Sequence, residues 1–118
     1  MAIQNLSENI VVVTLPEEPL TNNDLENINE FVNKEDKRDV IIDFSRVEVL
    51  TSSNLSNLLI LRESLHKSGH QLVFCSVSMA TKGIFIVADL DTFFDFADDK
   101  LAALEIIKHG KLAGHSSA

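Results

Sequence analysis

Three short apolar runs limit the fold of this chain more than any other feature of its sequence. Ile10-Val-Val-Val-Thr-Leu15, Val40-Ile-Ile-Asp-Phe44 and Gln71-Leu-Val-Phe-Cys75 are rich in β-branched and aromatic residues and read as buried strands. Pro16 and Pro19 end the first run. A shorter segment, Ile3 to Leu6, can pair with that run as a hairpin, and Phe93 to Phe96 reads as a short last strand. Between the strands the apolar spacing becomes helical. Thr21 to Val32 sets Leu25, Ile28, Phe31 and Val32 on one face. Leu55, Leu58, Leu59, Arg62 and Leu65 then recur over about four turns, and Gly69 is a natural stop. Ser78 can cap a helix carrying Met79, Ile84, Phe85 and Val87, and Asp98 can cap a final one carrying Leu101, Leu104, Ile106 and Ile107. The charged run Asn33 to Arg38 is a solvated loop. Strands and helices alternate, so the expected architecture is an α/β sheet covered by helices.

A length of 118 residues gives one domain with one core, expected over 1–111, followed by a flexible tail over 112–118. Eighteen Asp and Glu residues against ten Lys and Arg leave a formal net charge of -8. Nucleic-acid backbones and anionic membranes repel such a chain unless its basic residues cluster, and they do not. No apolar run approaches the ~20 residues of a membrane-spanning helix. Met1 to Asn5 lacks the features of a signal peptide, so a cytoplasmic protein is expected. The single Cys75 follows Leu72-Val73-Phe74 and reads as a buried, inert thiol. His66 and His70 are separated by a helix break at Ser68-Gly69, and His109 and His115 lie near the end, so no metal pair is expected. Neither a Gly-rich phosphate loop nor a Ser/His/Asp set is visible. The chain reads as a non-enzyme, with no catalytic residue, metal or cofactor.

The richest local signal is Thr51-Ser52-Ser53-Asn54, where a loop opens the Leu55-to-Leu65 helix. The first helical N–H groups lack internal partners, and Thr51, Ser52 or Ser53 can supply an N-cap. A helix N-terminus carries roughly half a positive charge and tolerates a phosphate. A phosphoserine there adds nearly two negative charges without undoing the fold and changes the surface offered to a partner. Simple capping, with no switch, explains the same run.

Asp39-Val-Ile-Ile-Asp-Phe-Ser-Arg-Val-Glu-Val-Leu-Thr-Ser-Ser-Asn-Leu55 resembles the central segment of STAS domains, the family of bacterial anti-sigma factor antagonists. The following helix, Gly69, the strand Gln71 to Cys75, Val77-Ser78, Ala80, Lys82, Phe85 and Leu90 fall in the family's order. The resemblance runs from about Ile10 to Ile107. It implies a mixed β-sheet covered by helices on one side, and function by protein-protein binding. It also implies an anti-sigma factor with serine kinase activity as partner, and a phosphatase that reverses phosphorylation. The family's phosphorylated serine maps onto Ser52, with Ser53 as the alternative hydroxyl. Two positions depart from the pattern: Thr51 stands where the motif has aspartate, and Asn54 where it has glycine. Thr51 can still cap but brings no carboxylate, and Asn54 adds a side chain to a loop the family keeps bare.

The partner-binding surface is therefore expected to comprise Thr51, Ser52, Ser53, Asn54, Ser56, Asn57, Ile60 and Ile86. Ile60 lies opposite the leucine stripe, among hydroxyls. Ile86 belongs to Ile84-Phe85-Ile86-Val87, whose four bulky side chains cannot all face one core in a helix. Asp43, with Glu17 and Glu18, invites comparison with a phospho-accepting receiver domain, but that fold needs more βα units than the chain supplies. The leading reading is an anti-sigma factor antagonist switched at Ser52. The alternative is a non-phosphorylated STAS scaffold or subunit of a larger assembly, stressosome-like or transport-associated, for which Thr51 and Asn54 speak.

Overall fold

The apolar runs form the centre of a five-stranded sheet in the computed structural model, which describes residues 2–16, 22–34 and 38–113. The strands are β1 (Ala2–Asn5), β2 (Ile10–Thr14), β3 (Asp39–Asp43), β4 (Leu72–Cys75) and β5 (Asp95–Ala97), and they lie side by side in that order. β1 and β2 form the expected antiparallel hairpin. The pairs β2–β3, β3–β4 and β4–β5 are all parallel, so the sheet is mixed. A parallel pair needs a crossover. Here the crossovers are α1 (Asn22–Lys34), α2 (Ser52–Lys67) and α3 (Met79–Val87), and α4 (Lys100–Ala113) follows β5.

Strand periodicity divides the side chains between two cores. Val11, Val13, Val40, Ile42, Leu72 and Phe74 point to one face, under Leu25 and Ile28 of α1, Leu58 and Leu61 of α2, and Phe85 of α3. Phe74 is the hub of an aromatic cluster, with ring centroids 4.8 Å from Phe44, 5.9 Å from Phe85 and 4.7 Å from Phe94. The alternate residues Ile10, Val12, Ile41, Val73 and Cys75 point the other way, towards Ala103 and Ile107 of α4. Helical cover on one side thus holds for α1, α2 and α3, while α4 covers the opposite face. Its packing stripe is Ala103 and Ile107, and Leu101, expected inside, is 70% exposed.

Several boundaries also move. The last strand is Asp95–Ala97 rather than Phe93 to Phe96, because Asp91–Phe93 forms a short 3-10 helix. α1 runs through Asn33 and Lys34 into the charged segment. The cap of α4 is Asp99 rather than Asp98: Asp99 Oδ1 accepts from the Ala102 N–H at 2.8 Å, while Asp98 lies one residue too early. Gly69 ends α2 with a left-handed φ of 76°, which glycine adopts without strain. Glu17, Glu18, Pro19, Thr21, positions 35–37 of the charged run and positions 114–118 of the expected tail lie outside the described residues. No helix among the described residues is long and apolar enough to cross a membrane.

Phe74 is fully buried and packs against the rings of Phe44, Phe85, Phe94 and Phe96. Phe74→Ala is expected to lower unfolding stability by about 3–5 kcal/mol, read from urea denaturation followed by circular dichroism.

Candidate functional site

The candidate site is built where β3 hands the chain to α2. Asp43 closes the strand and holds the turn: its Oδ1 accepts from the Ser45 N–H at 2.8 Å, and its Oδ2 lies 3.6 Å from Lys100 Nζ. Both carboxylate oxygens are thus engaged, which fits the structural role of a loop-ordering aspartate. Phe44, Val47 and Leu50 are buried and anchor the descending loop, while Val49 between them is exposed. The loop delivers Thr51 in extended conformation, φ -96° and ψ 168°, as the N-cap of α2.

Thr51 and Asn54 form a reciprocal capping box. The Asn54 N–H donates to Thr51 Oγ1 at 3.1 Å, and the Thr51 N–H donates to Asn54 Oδ1 at 2.9 Å. Two otherwise unpartnered backbone donors are satisfied in this way. Asn54 is only 2% exposed, so it shapes the loop from inside and is not a direct contact for a partner. Ser52 and Ser53 follow as the first two helical residues, and both are exposed. The first turn of α2 contains no acidic residue, so its positive dipole end is not offset by a carboxylate of that turn.

Ser52 also lines an apolar groove of about 460 Å³ between the start of α2 and the side of α3. Leu50, Ser52 and Leu55 form one wall, and Ala80, Gly83 and Val87 belong to the other. The α3 residues recur at i, i+3 and i+7, one side of a helix. That spacing was available in the sequence, but Ile84 to Val87 are all apolar, and their spacing does not say which of them faces the core. Only Thr81 and Phe85 of α3 are buried. Val87 is 89% exposed and Met79 92%, so of the four bulky side chains from Ile84 to Val87 only Phe85 is buried in the core.

The other candidate residues divide between this groove and a second surface. Ser53, Ser56 and Ile60 lie on the side of α2 opposite the buried Leu58, and Ile60 is 55% exposed. Asn57 is half-buried at the edge of that face, with its Nδ2 donating to the Ser53 carbonyl at 3.2 Å. Ile86 is exposed on α3, about a third of a turn from the groove-lining residues. The structure therefore joins Ser52 to the α3 groove and leaves Ile60 and Ile86 outside it.

Cys75 is fully buried at the end of β4, and burial, with Asp43 nearby, pushes its thiol up to about 11. It is protonated at neutral pH and inert, as its apolar neighbours suggest. Burial and the Arg62 charge lower the pKa of His66. Among the described residues, no group of three or more His, Cys, Asp or Glu side chains is placed to hold a metal ion.

A family model described as STAS domain matches residues 5–103. An anti-sigma-factor antagonist (STAS) domain protein from Planctomyces limnophilus superposes with a TM-score of 0.79 at 18% identity, covering 91% of this chain and 97% of that one. A variant of RsbS from Moorella thermoacetica gives 0.75 at 18% identity, covering 96% and 97%. A chain of the stressosome, described as a signal integration and transduction hub, gives 0.72 at 18% identity, covering 92% and 96%. At such identities these likenesses speak to the fold. No curated protein matches the chain.

Two substitutions separate the roles at this site. Thr51→Ala removes the cap acceptor and is expected to cost about 0.5–2 kcal/mol of stability. Gly83→Ala is expected to add about 0.5–1 kcal/mol, because a Cβ there meets no atom within 4 Å. Urea denaturation of both variants beside the wild type checks the two signs.

Proposed function

Since this chain belongs to the STAS domain family, whose model spans residues 5–103, we propose that it acts as an anti-sigma factor antagonist. It binds an anti-sigma factor with serine kinase activity and is switched by phosphorylation of Ser52. The observation that carries the reading is the position of Ser52: an exposed hydroxyl at a helix N-terminus that also walls an apolar groove. Such a hydroxyl is open to a kinase, and the helix end stabilises the added phosphate. The phosphate stands beside apolar surface that a partner would cover. Its charge must then be stripped of water or the partner must leave, and leaving is the cheaper outcome.

In this reading Ser52 carries the phosphate, with Ser53 as the neighbouring alternative. Thr51 holds the loop, and Ser56, Asn57 and Ile60 extend the partner surface along α2, with Ile86 at its α3 margin. A phosphatase resets the switch. The binding unit occupies 1–111, with 112–118 as a tail, and acts in the cytoplasm.

A second reading is a subunit of a larger assembly, stressosome-like or transport-associated, that never carries phosphate. The capping box favours it, because Thr51 and Asn54 complete the loop without the carboxylate of the family motif.

Pull-down from native lysate with wild type, Ser52→Ala and Ser52→Glu discriminates the two. The switch predicts a kinase-type partner held by wild type and Ser52→Ala and lost at least about tenfold with Ser52→Glu, equivalent to 1.4 kcal/mol. Equal capture by all three supports the scaffold.

A further inference from the structure

We infer that the groove between α2 and α3 receives an amphipathic helix of the partner, with small or aliphatic residues facing the groove and basic residues on its flanks. This inference deepens the proposed antagonist reading and rests on it. Groove-lining residues on α3 include Ala80, Gly83, Ile84 and Val87, at i, i+3, i+4 and i+7. They form one continuous side of a helix, as a packed neighbouring helix requires.

Gly83 points to the same occupant. Its backbone is helical and a Cβ there would meet nothing within 4 Å, so neither conformation nor crowding within the chain requires glycine. A glycine in a groove wall lets another backbone approach closely. Val87 and Met79 are almost wholly exposed, so α3 offers apolar surface that the fold itself leaves uncovered.

Charge selects the flanks of the incoming helix. Three exposed charged residues lie within two positions of groove-lining residues in the chain: Glu48, two before Leu50, Lys82, directly before Gly83, and Asp89, directly after Ala88. The lysine of α3, Lys82, has its Nζ over the Phe96 ring at 5.1 Å. With a net charge of -8 behind it, this rim repels an acidic segment and draws a basic one.

The probe is a labelled synthetic amphipathic helix with leucine on one face and lysine on the other, beside a counterpart with glutamate in place of lysine. Fluorescence anisotropy with the full chain reads affinity, and amide chemical shifts locate the contact. The lysine peptide is expected to bind saturably, shifting amides of α3 and of the α2 start, and the glutamate peptide is not. Gly83→Leu fills the groove and is expected to weaken binding at least about tenfold. Val87→Lys, at an exposed position, is expected to weaken it without touching the core, and circular dichroism confirms that both variants fold. Undiminished binding by both variants, shifts elsewhere, or a concentration-dependent dimer occupying α3 would overturn the inference. Equal peptide binding by wild type and Ser52→Glu would keep the groove and reject the switch. Loss of the native partner with Ser52→Glu but not with Gly83→Leu would keep the switch and reject the groove.

Discussion

Strand β3 has no exposed side. Val40, Ile41 and Ile42 are each fully buried, so this one strand needs apolar cover from both faces of the sheet. The requirement sets the placement of everything around it. Parallel neighbours on both sides demand crossovers, and α1 and α2 supply them over one face. The other face would lie open to water without α4, whose Ala103 and Ile107 close it. Parallel strands also send their loops to a common edge, where open α/β sheets present their ligand sites. The β3–α2 connection is one such loop. Its buried Val47 and Leu50 and its exposed Thr51 to Ser53 follow from the need to leave the core and start a helix within a few residues.

Several electrostatic effects act at Ser52, and their sizes decide how a phosphate there would work. The helix end favours the added charge by about 0.3–1 kcal/mol, so the fold gains slightly rather than loses. A rim ion pair with a basic partner is worth about 0.2–1 kcal/mol in solvent. Covering a phosphate with apolar surface costs several kcal/mol unless new hydrogen bonds replace its water. Desolvation therefore outweighs attraction, even for a basic partner. A phosphate there would act through what the groove can cover, with the fold as a fixed platform. The capping box between Thr51 and Asn54 serves that end by satisfying the loop's own donors from inside.

Much of this architecture is legible in the sequence because strand and helix leave different apolar periods. The β-branched runs at Ile10 and Val40 and the leucine spacing from Leu55 to Leu65 each admit one element type, and the hairpin, the α2 cap and the Gly69 stop follow from local chemistry. The remainder depends on long-range packing. The face that α4 covers cannot be read from its own residues, since Ala103 is too small to mark a stripe and Leu101 suggests the wrong one. Its cap lies at Asp99 rather than Asp98 because two adjacent aspartates offer the same chemistry one residue apart. Asn54 looks like a surface departure from a motif glycine until its side chain is seen turned back onto the Thr51 N–H. The groove wall on α3 is obscured for a similar reason: Met79, Val87 and Phe85 are all apolar, and only the tertiary fold separates the buried ring from the exposed chains.

In the proposed switch, phosphate at Ser52 alters the surface offered to a partner and leaves the fold alone. Amide nitrogen–proton spectra of the chain with Ser52 phosphorylated, compared with the unmodified chain, test it most directly. Shifts confined to residues around the start of α2 and the facing side of α3, with β3, β5 and α4 unmoved, are the expected result. Shifts spread through α4 and the sheet, or loss of spectral dispersion, would contradict it.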